Sequence, residues 1–276
     1  MNKLLQFICL ALLTCTCYAQ EDSLDNERLA KMISLSEVVI RSDIDIAKFM
    51  ERVKNDTTFY KAFRTLHIVG YTSLNDINII DKKDKPKASL QSRIKQTRKN
   101  NCRTMQVLSE TTKGDFYDKS GNYNYYTAEL YSNLFFTKGE ICGENNIVAG
   151  MTFNPKGKKG LAKSKEQLKT LFFNPGKKIP GIPFIGDKIN IFDPDVAKYY
   201  DFHIDQEMYE GRSCYIFSVK VKEDLRAGKR DKIVIDNMIT WFDAKTMEVM
   251  ARNYQLSYDA GVYDFNVQME VQMTKF

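Results

Sequence analysis

The chain has 276 residues, and its 41 lysines and arginines outnumber its 35 aspartates and glutamates, which gives a formal net charge of +6. This excess is modest, so the composition excludes a strongly polybasic or polyacidic protein. One short apolar run lies near the N-terminus, and no later stretch of the sequence is long and apolar enough to predict a membrane-spanning helix.

The first residues predict a secretory signal peptide. Lys3 precedes an apolar run from Leu4 to Leu13, and small or polar residues follow up to Ala19. A membrane anchor is the competing interpretation, but the run has about ten residues and a spanning helix needs about 20. We therefore expect cleavage after Ala19 and export of a mature chain of 257 residues (276 − 19). Attachment of a lipid at Cys15 or Cys17 is the alternative.

After the signal peptide, residues 20–32 are predicted to be a linker. The stretch Ile33–Ile40 alternates between apolar and polar residues and predicts a first strand. Asp43, or Ser42 before it, is expected to cap a helix over residues 44–54, because the apolar residues that follow recur at spacings of three and four.

The next part of the chain predicts short strands around a basic loop. Four stretches fit strands: Leu66–Tyr71, Asn75–Ile80, Thr104–Leu108 and Asp115–Tyr117. Residues 82–103 hold nine lysines and arginines against Asp84 alone, and we interpret their lysine-rich part as a polar, turn-forming loop. Aromatic residues crowd positions 123–136, where the helical and strand periodicities compete, and we favour strands with a short helical turn there.

A second basic run, residues 156–178, carries eight lysines against Glu166 alone. Within it, residues 163–173 predict a basic amphipathic helix that Pro175 and Gly176 terminate. Both basic runs fit solvated surfaces, and the functional alternative is contact with an anionic membrane. The candidate contact residues are Lys82, Lys83, Lys158 and Lys159. Neither run has the regular aromatic interleaving of a nucleic-acid platform, so we expect no nucleic-acid partner.

The C-terminal third predicts consecutive strands joined by short turns, which is typical of an antiparallel meander. These strands cover residues 199–205, 213–221, 232–243, 248–258 and 263–274. The last strand has an apolar residue at every odd position from Tyr263 to Met273 and a polar residue between each pair, so one face must be covered.

Methionine and aromatic residues are frequent in this region, and they suit either ordinary packing or an irregular apolar ligand. If the face binds a ligand, the expected contact residues are Trp241, Met250, Tyr254, Phe265, Val267 and Met269.

The residues that could carry chemistry are few. Cys102, Cys142 and Cys214 remain in the mature chain, which allows one disulfide and one spare thiol or no bridge, and their wide spacing predicts no metal site. We expect no cofactor. The spacing of Asp201, His203 and Asp205 places them on one face of a strand, where they could bind a metal or activate water, although alternation with Phe202 and Ile204 favours simple exposure to solvent.

The segment Thr240–Arg252, in which a strand ends in Asp243, turns and resumes with apolar residues, resembles the LolA-like superfamily of periplasmic carriers. The resemblance implies a strongly curved antiparallel sheet that forms an unclosed half-barrel, with helices packed on its concave face. It also implies that acyl chains or lipoproteins are held in the concavity. It assigns no individual binding residue.

These observations together predict an α+β fold with a single domain over residues 33–276. The expected protein is exported to the periplasm or cell envelope, or secreted, and binds a lipid or another apolar small molecule in the half-barrel groove without catalysis. An anionic membrane surface is a further expected partner. The alternatives are a secreted hydrolase that uses the face of Asp201, His203 and Asp205, and a structural or adhesion module whose sheet face is filled by its own helices.

Overall fold

The structure is a computed structural model that describes residues 25–40, 44–81, 83, 85–147, 171–178, 187–225, 227–259 and 264–273. The described residues form helices and two β-sheets, and the predicted α+β class is confirmed. The chain divides into two compact units, of which unit 1 comprises residues 1–59 and 152–276 and unit 2 comprises residues 60–151. The predicted single domain stays a prediction, and the predicted signal peptide lies outside the described residues.

Residues 25–31 are helical, where a linker was predicted, and residues 171–173 end a further helix. The other elements follow one another in a simple order along the chain. They are β1 (Ile33–Leu35), α1 (Glu37–Ile40), α2 (Ile46–Asn55), α3 (Thr58–Thr65), β2 (Tyr71–Ile80), β3 (Pro86–Lys99), β4 (Cys102–Gly114), α4 (Tyr126–Phe135), β5 (Ile141–Cys142), α5 (Pro194–Ala197), β6 (Tyr200–Tyr209), β7 (Arg212–Val221), β8 (Ile235–Asp243), β9 (Val249–Asp259) and β10 (Asp264–Gln272). A 3₁₀ helix, Ala227–Lys232, precedes β8.

Unit 1 contains a six-stranded sheet in the order β1-β6-β7-β8-β9-β10. Strands β6 to β10 pair antiparallel with their sequence neighbours, which confirms the predicted C-terminal meander. β1 joins the sheet by a parallel pairing with β6, in which Ser34 lies opposite His203. The sheet therefore combines the first described strand of the chain with its last five.

Helix α2 packs against this sheet through the aromatic ring of Phe49. The ring of Phe49 meets the rings of Tyr215, Phe217 and Phe242 edge-on at centroid distances of 5.7, 6.3 and 5.9 Å. Phe49 is 3% exposed, and the three partners belong to β7 and β8. Edge-to-face packing of this kind adds to the hydrophobic contribution of the buried rings, so Phe49 anchors α2 together with the buried Met50 and Val53.

Two sequence expectations at the start of unit 1 need correction. α2 is capped by Asp45, whose side chain accepts a hydrogen bond from the backbone N–H of Lys48 at 2.9 Å, so the predicted cap at Asp43 or Ser42 was wrong. The predicted strand Ile33–Ile40 is correct only up to Leu35. The Ser36 hydroxyl then accepts a bond from the N–H of Val39 and favours the short helix α1 over a continued strand.

The expected helix stop at residues 174–176 is confirmed, although most of the predicted helix over residues 163–173 lies outside the described residues. Phe173 is the last helical residue, and Gly176 has a φ of +87°. A Cβ at Gly176 would lie 3.0 Å from the Cδ1 atom of Ile191. Glycine is therefore required here both by the backbone conformation and by the close approach of a buried side chain.

Unit 2 contains a four-stranded antiparallel sheet in the order β2-β3-β4-β5, curled through 190° into a half-barrel. The predicted half-barrel is thus confirmed, but residues 71–142 form it and not the C-terminal strands. β3 is its longest strand, paired with β2 from Pro86 to Gln96 and with β4 from Ala88 to Lys99.

The prediction of a loop in the first basic run, residues 82–103, was wrong, because most of that run forms β3. Five small, apolar or amide side chains at every second position point to the covered face, namely Ala88, Leu90, Ser92, Ile94 and Gln96. The lysines and arginines between them point to solvent. Two predicted strands also fail: residues 66–70 are turns, and residues 115–117 contribute only an isolated bridge from Tyr117 to Tyr123.

The aromatic segment at residues 123–136 forms helix α4, so the favoured strand interpretation was wrong. α4 packs on the concave face of the half-barrel, where Ala128 joins a core cluster. The other members of this cluster are Ile79, Ala88, Leu90 and Phe116, with Ile77, Tyr117, Tyr123 and Tyr125 packed at its border. Much of the concavity is therefore filled by the chain's own residues.

Candidate functional site

The predicted apolar stripe of the last strand faces the covered side of the unit 1 sheet. Val267 and Met269 pair with Leu256 and Tyr254, both of which are buried, and they alternate with exposed polar residues on β10. The Tyr254 hydroxyl donates to the carbonyl of Phe172 and lies 2.9 Å from the Sδ atom of Met269. The structure does not describe the side chain of Phe265.

Two of the predicted ligand-contact residues do not join this stripe. Trp241 pairs with Ala251 on the opposite face, where its indole stacks near Tyr209 and its Nε1–H donates to Glu207 at 2.9 Å. Met250 occupies the β-bulge opposite Phe242, and its Sδ accepts a bond from Arg212. Placing Trp241 on the covered face was wrong, because residues at odd positions of β8 face away from it.

A buried pair of cations lies under the covered face of β9 and was missed by the sequence analysis. Arg252 is 4% exposed, and its Nε–H donates to the hydroxyl of Thr240 at 2.9 Å while the guanidinium lies 4.4 Å from the ring centroid of Phe59. Lys177 is 7% exposed and donates from Nζ to the backbone carbonyl of Asp56. The signal was Arg252 itself, a charged residue at an inward position of an otherwise apolar strand face.

The electrostatics of these two groups reflect their burial. Burial lowers the pKa of Lys177 to about 8, although the carboxylate of Asp56 acts in the opposite direction and the charge of Arg252 lowers it further. Burial likewise lowers the pKa of Arg252 to about 10 against the opposing effect of Asp56. Two cations are therefore held in a region where the folded protein disfavours positive charge.

The face formed by Asp201, His203 and Asp205 has local structural partners. The Ser34 hydroxyl lies 2.9 Å from His203 Nδ1, and a hydrogen bond from Ser36 together with the backbone N–H of Gln206 lowers the pKa of Asp205. The three residues share one face of β6 as predicted, with Asp201 exposed. These contacts join β1 and Ser36 to β6, so the polar face has a structural role.

Unit 2 holds a polar network around a buried arginine. Arg103 is 8% exposed, pairs with the carboxylate of Glu144 and donates to Thr137 and Gln96. His67 Nδ1 lies 3.1 Å from the other oxygen of Glu144. Burial acts to raise the pKa of Glu144, but the bond from Arg103 and the charges of His67 and Arg103 outweigh it and lower the pKa. The network fastens the segment after α4 to β3 and β4.

A disulfide joins Cys102 to Cys142 beside this network, and Cys214 is a buried free thiol. The alternative of one bridge and one spare thiol is therefore confirmed. Cys102, Glu140 and Cys142 bring potential metal ligands within 4.8 Å of one another, but both sulfur atoms are consumed by the bridge. Among the described residues, this group offers no metal site while the disulfide is intact.

A depression of about 580 Å³ opens at the end of the half-barrel. Three lysines line it together with apolar side chains of β2 and with residues at the start of α4; the lining residues are Ile79, Ile80, Asp81, Lys83, Lys85, Lys87, Tyr125 and Thr127. Ile80 is 57% exposed. Of the predicted membrane-contact residues, Lys83 lies here, whereas Lys82, Lys158 and Lys159 lie outside the described residues.

The fold and these sites define an α+β protein with two sheet-containing units, a lysine-lined depression in unit 2 and buried cations in unit 1. Comparison with known protein families, with curated proteins and with solved structures finds no match. In the part of the chain that the structure describes, no helix has the length and apolar character needed to cross a bilayer.

Proposed function

We propose that the protein is an exported, non-catalytic envelope protein that binds a lipid or another anionic amphiphile at the lysine-lined depression of the half-barrel. The observation that carries this proposal is the combination of three lysines with Ile79, the exposed Ile80 and Tyr125 around one concave surface. Cationic groups beside apolar surface match the two parts of an anionic amphiphile, its headgroup and its hydrocarbon chain.

The local charge supports this choice of ligand. The depression contains three lysine side chains and one carboxylate, that of Asp81, which leaves two net positive charges among its lining residues. Asp81 Oδ1 accepts hydrogen bonds from the backbone N–H groups of Lys83 and Lys85 at 2.7 and 3.0 Å, and these bonds lower the pKa of Asp81. The carboxylate thus shapes the turn that presents the lysines.

Export is supported by two independent features. The N-terminal sequence has the basic start, short apolar run and small residue of a secretory signal. The disulfide between Cys102 and Cys142 is a bond that persists in oxidising compartments such as the periplasm or the cell exterior. An envelope protein with a basic, partly apolar depression would meet anionic lipid in that location.

Vesicle binding of the mature protein tests the proposal. We expect sedimentation with vesicles of phosphatidylglycerol and phosphatidylcholine, and little with phosphatidylcholine alone. Each lysine near an anionic surface contributes about 1 kcal/mol, so the combined variant Lys83→Gln, Lys85→Gln and Lys87→Gln should bind about 100-fold more weakly.

A matched variant separates the site from overall charge. Lys61, Lys119 and Lys245 are exposed and lie outside the lining of the depression, so their combined change to glutamine removes the same net charge. Equal losses of vesicle binding in the two triple variants would show that the depression has no special role. Purified protein that carries no lipid and takes up no fluorescent fatty acid would refute the carriage of a soluble lipid.

A structural or adhesion module is the second candidate, because a specific observation favours it. The concave face is occupied by Phe116, Leu90 and Ala128, which are at most 1% exposed. If neither vesicles nor free fatty acid bind the wild type, this filled concavity is explained by packing alone, and the lysines are simply a solvated turn.

A further inference from the structure

Two cysteines that lie far apart in the sequence are brought directly opposite each other in unit 2. Cys102 begins β4 and Cys142 ends β5, and the two residues are paired across these antiparallel strands. Glu140 adds a carboxylate, and its Oε1 atom lies 3.8 Å from the Sγ atom of Cys142. The ligand atoms of the three residues all lie within 4.8 Å of one another. We refer to these three residues as the cysteine–glutamate cluster.

The chemistry and spacing of this cluster suit a zinc ion once the two sulfur atoms are no longer bonded to each other. Thiolate sulfur and carboxylate oxygen are both common zinc ligands, at about 2.3 Å and about 2.1 Å from the metal. A tetrahedral site with these bond lengths places sulfur and oxygen about 3.5 Å apart and the two sulfurs about 3.8 Å apart. The distance of 3.8 Å between Cys142 and Glu140 is close to the first value. Rotation about the Cα–Cβ bonds of the two cysteines can produce the second.

The backbone around the cluster is held in place by contacts other than the disulfide. On one side, the hydroxyl of Thr137 accepts a hydrogen bond from the guanidinium of Arg103. On the other side, the N–H of Gly143 donates to the carbonyl of Asn101 at 3.0 Å, and the carboxylate of Glu144 pairs with Arg103. Reduction of the bridge should therefore leave the segment between Thr137 and Glu144 beside β4, with the ligands of the cluster still close to one another.

Solvent reaches the cluster, so both a reductant and a metal ion have access to it. Cys142 and Glu140 are exposed, and Cys102 is partly buried. A dithiol reduces the bridge when one of its thiolates attacks the Sγ atom of Cys142 and expels the thiolate of Cys102; its second thiol then breaks the mixed disulfide. The reductant leaves as its own disulfide, and its two electrons and two protons convert the bridge into two thiols.

We propose that the disulfide is the switch of a metal site. After reduction by a dithiol, Cys102, Cys142 and Glu140 bind one Zn²⁺ ion, whereas the bridged protein does not. Binding converts the two thiols into thiolates and releases two protons. The cluster supplies three ligands among the described residues, and water completes the tetrahedron. This site goes beyond the lipid binding proposed above and does not depend on it.

Metal titration of the mature protein in its bridged and reduced forms tests the site. Cys214→Ala is used throughout, so that Cys102 and Cys142 supply the only thiols of the mature chain. The protein is reduced with dithiothreitol, separated from it without air and titrated with Co²⁺, whose absorption bands report tetrahedral thiolate binding. We expect one Co²⁺ to bind and Zn²⁺ to displace it, and we expect the bridged protein to bind Zn²⁺ at least about 100-fold more weakly. Equal binding by the two forms would refute the switch.

Substitutions connect metal binding to the cluster. Cys102→Ser and Cys142→Ser should each weaken Zn²⁺ binding by the reduced protein at least about 100-fold, because each removes a thiolate ligand. Glu140→Gln keeps the shape of the side chain but removes its charge and should bind about tenfold more weakly. Glu51→Gln changes an exposed carboxylate of α2 and is the matched control, which should leave binding unaltered. Full binding by Glu140→Gln would exclude the carboxylate from the site.

Two further measurements show whether the folded protein forms the site. Zn²⁺ should raise the urea midpoint of the reduced protein and leave that of the bridged protein unchanged. The Co²⁺ titration in unfolding urea should give at least about 100-fold weaker binding, because the unfolded chain does not hold two cysteines with a sequence separation of 40 side by side. Equal affinities in urea and in buffer would overturn the proposal. A reduced protein that binds neither metal, whether folded or unfolded, would also overturn it.

Discussion

The substitution Lys177→Met should change how the stability of the protein depends on pH. Burial lowers the pKa of Lys177 to about 8 in the folded state, whereas an unfolded lysine keeps a pKa near its ordinary value of 10.5. Between these two values the unfolded chain binds a proton that the folded chain does not. Stability therefore rises with pH across this window, because the folded protein is relieved of a buried ammonium.

The size of the effect follows from the difference between the two pKa values. Each unit corresponds to about 1.4 kcal/mol, so the contribution of Lys177 should rise by about 2.5 kcal/mol between about pH 7.5 and pH 10. Lys177→Met removes this rise. At neutral pH the variant also loses the hydrogen bond from Nζ to the carbonyl of Asp56, which partly offsets the gain from removing the charge.

Urea unfolding of wild type and variant at several pH values measures the difference directly. Taking the difference cancels other groups that titrate in the same range, such as the thiol of Cys214 and the hydroxyl of Tyr254, whose pKa values are both raised by burial. Lys220→Met, on the exposed side of β7, should run parallel to the wild type. A difference between wild type and Lys177→Met that stays constant within about 0.5 kcal/mol over this range would refute the reasoning.

Three further predictions concern packing, the disulfide and the polar network. Phe49→Ala removes three edge-on ring contacts and a ring that is 3% exposed, so the free energy of unfolding should fall by about 3–5 kcal/mol, with Phe49→Leu as a milder control. The pair Cys102→Ser and Cys142→Ser opens a loop with a sequence separation of 40 and should cost about 4 kcal/mol in urea unfolding, whereas reductant should affect only the wild type. Arg103→Met leaves the partly buried carboxylate of Glu144 without its main donor and should cost about 2–4 kcal/mol. It should also weaken the loss of stability on acidification below about pH 5, because the pKa of Glu144 would no longer be lowered by Arg103. A wild-type acid profile in the variant would contradict this assignment.

Sequence reasoning was most successful where side-chain alternation was uninterrupted. The last five strands of unit 1 form as expected, since each carries apolar residues at every second position and the turns between them are short. The helix stop at Gly176 was also predictable, because a positive φ next to a proline strongly favours glycine.

The sequence predictions failed where the same residue types are common in two kinds of structure. Five of the 14 residues of β3 are lysine or arginine, which favours a loop, yet the residues at alternate positions decide which face is covered. The aromatic segment of α4 satisfies both periodicities, and packing against the concave sheet decided the outcome. The prediction put Trp241 on the covered face because tryptophan is common in cores. The register of β8 and β9 instead places it on the opposite face, beside Tyr209.

The candidate sites were the least predictable feature. Arg252 belongs to a strand that sequence analysis recognised, but its burial depends on pairing opposite Thr240 and on Phe59 beneath it, which come from distant parts of the chain. The lysine-lined depression joins a turn after β2 to residues at the start of α4. Such juxtapositions are properties of tertiary structure: the alternation of β9 indicates the inward position of Arg252, but no local pattern predicts its partners.

The interruption of unit 1 by unit 2 has a consequence for biosynthesis. Residues 60–151 form a continuous stretch that contains both bridged cysteines, so this segment has all its folding partners as soon as it has been made. β1 can pair with β6, and Ser34 can contact His203, only after about 170 further residues have been synthesised. During translation or translocation, the inserted unit should therefore mature first and oxidise early, while the outer unit assembles only after the C-terminal strands arrive.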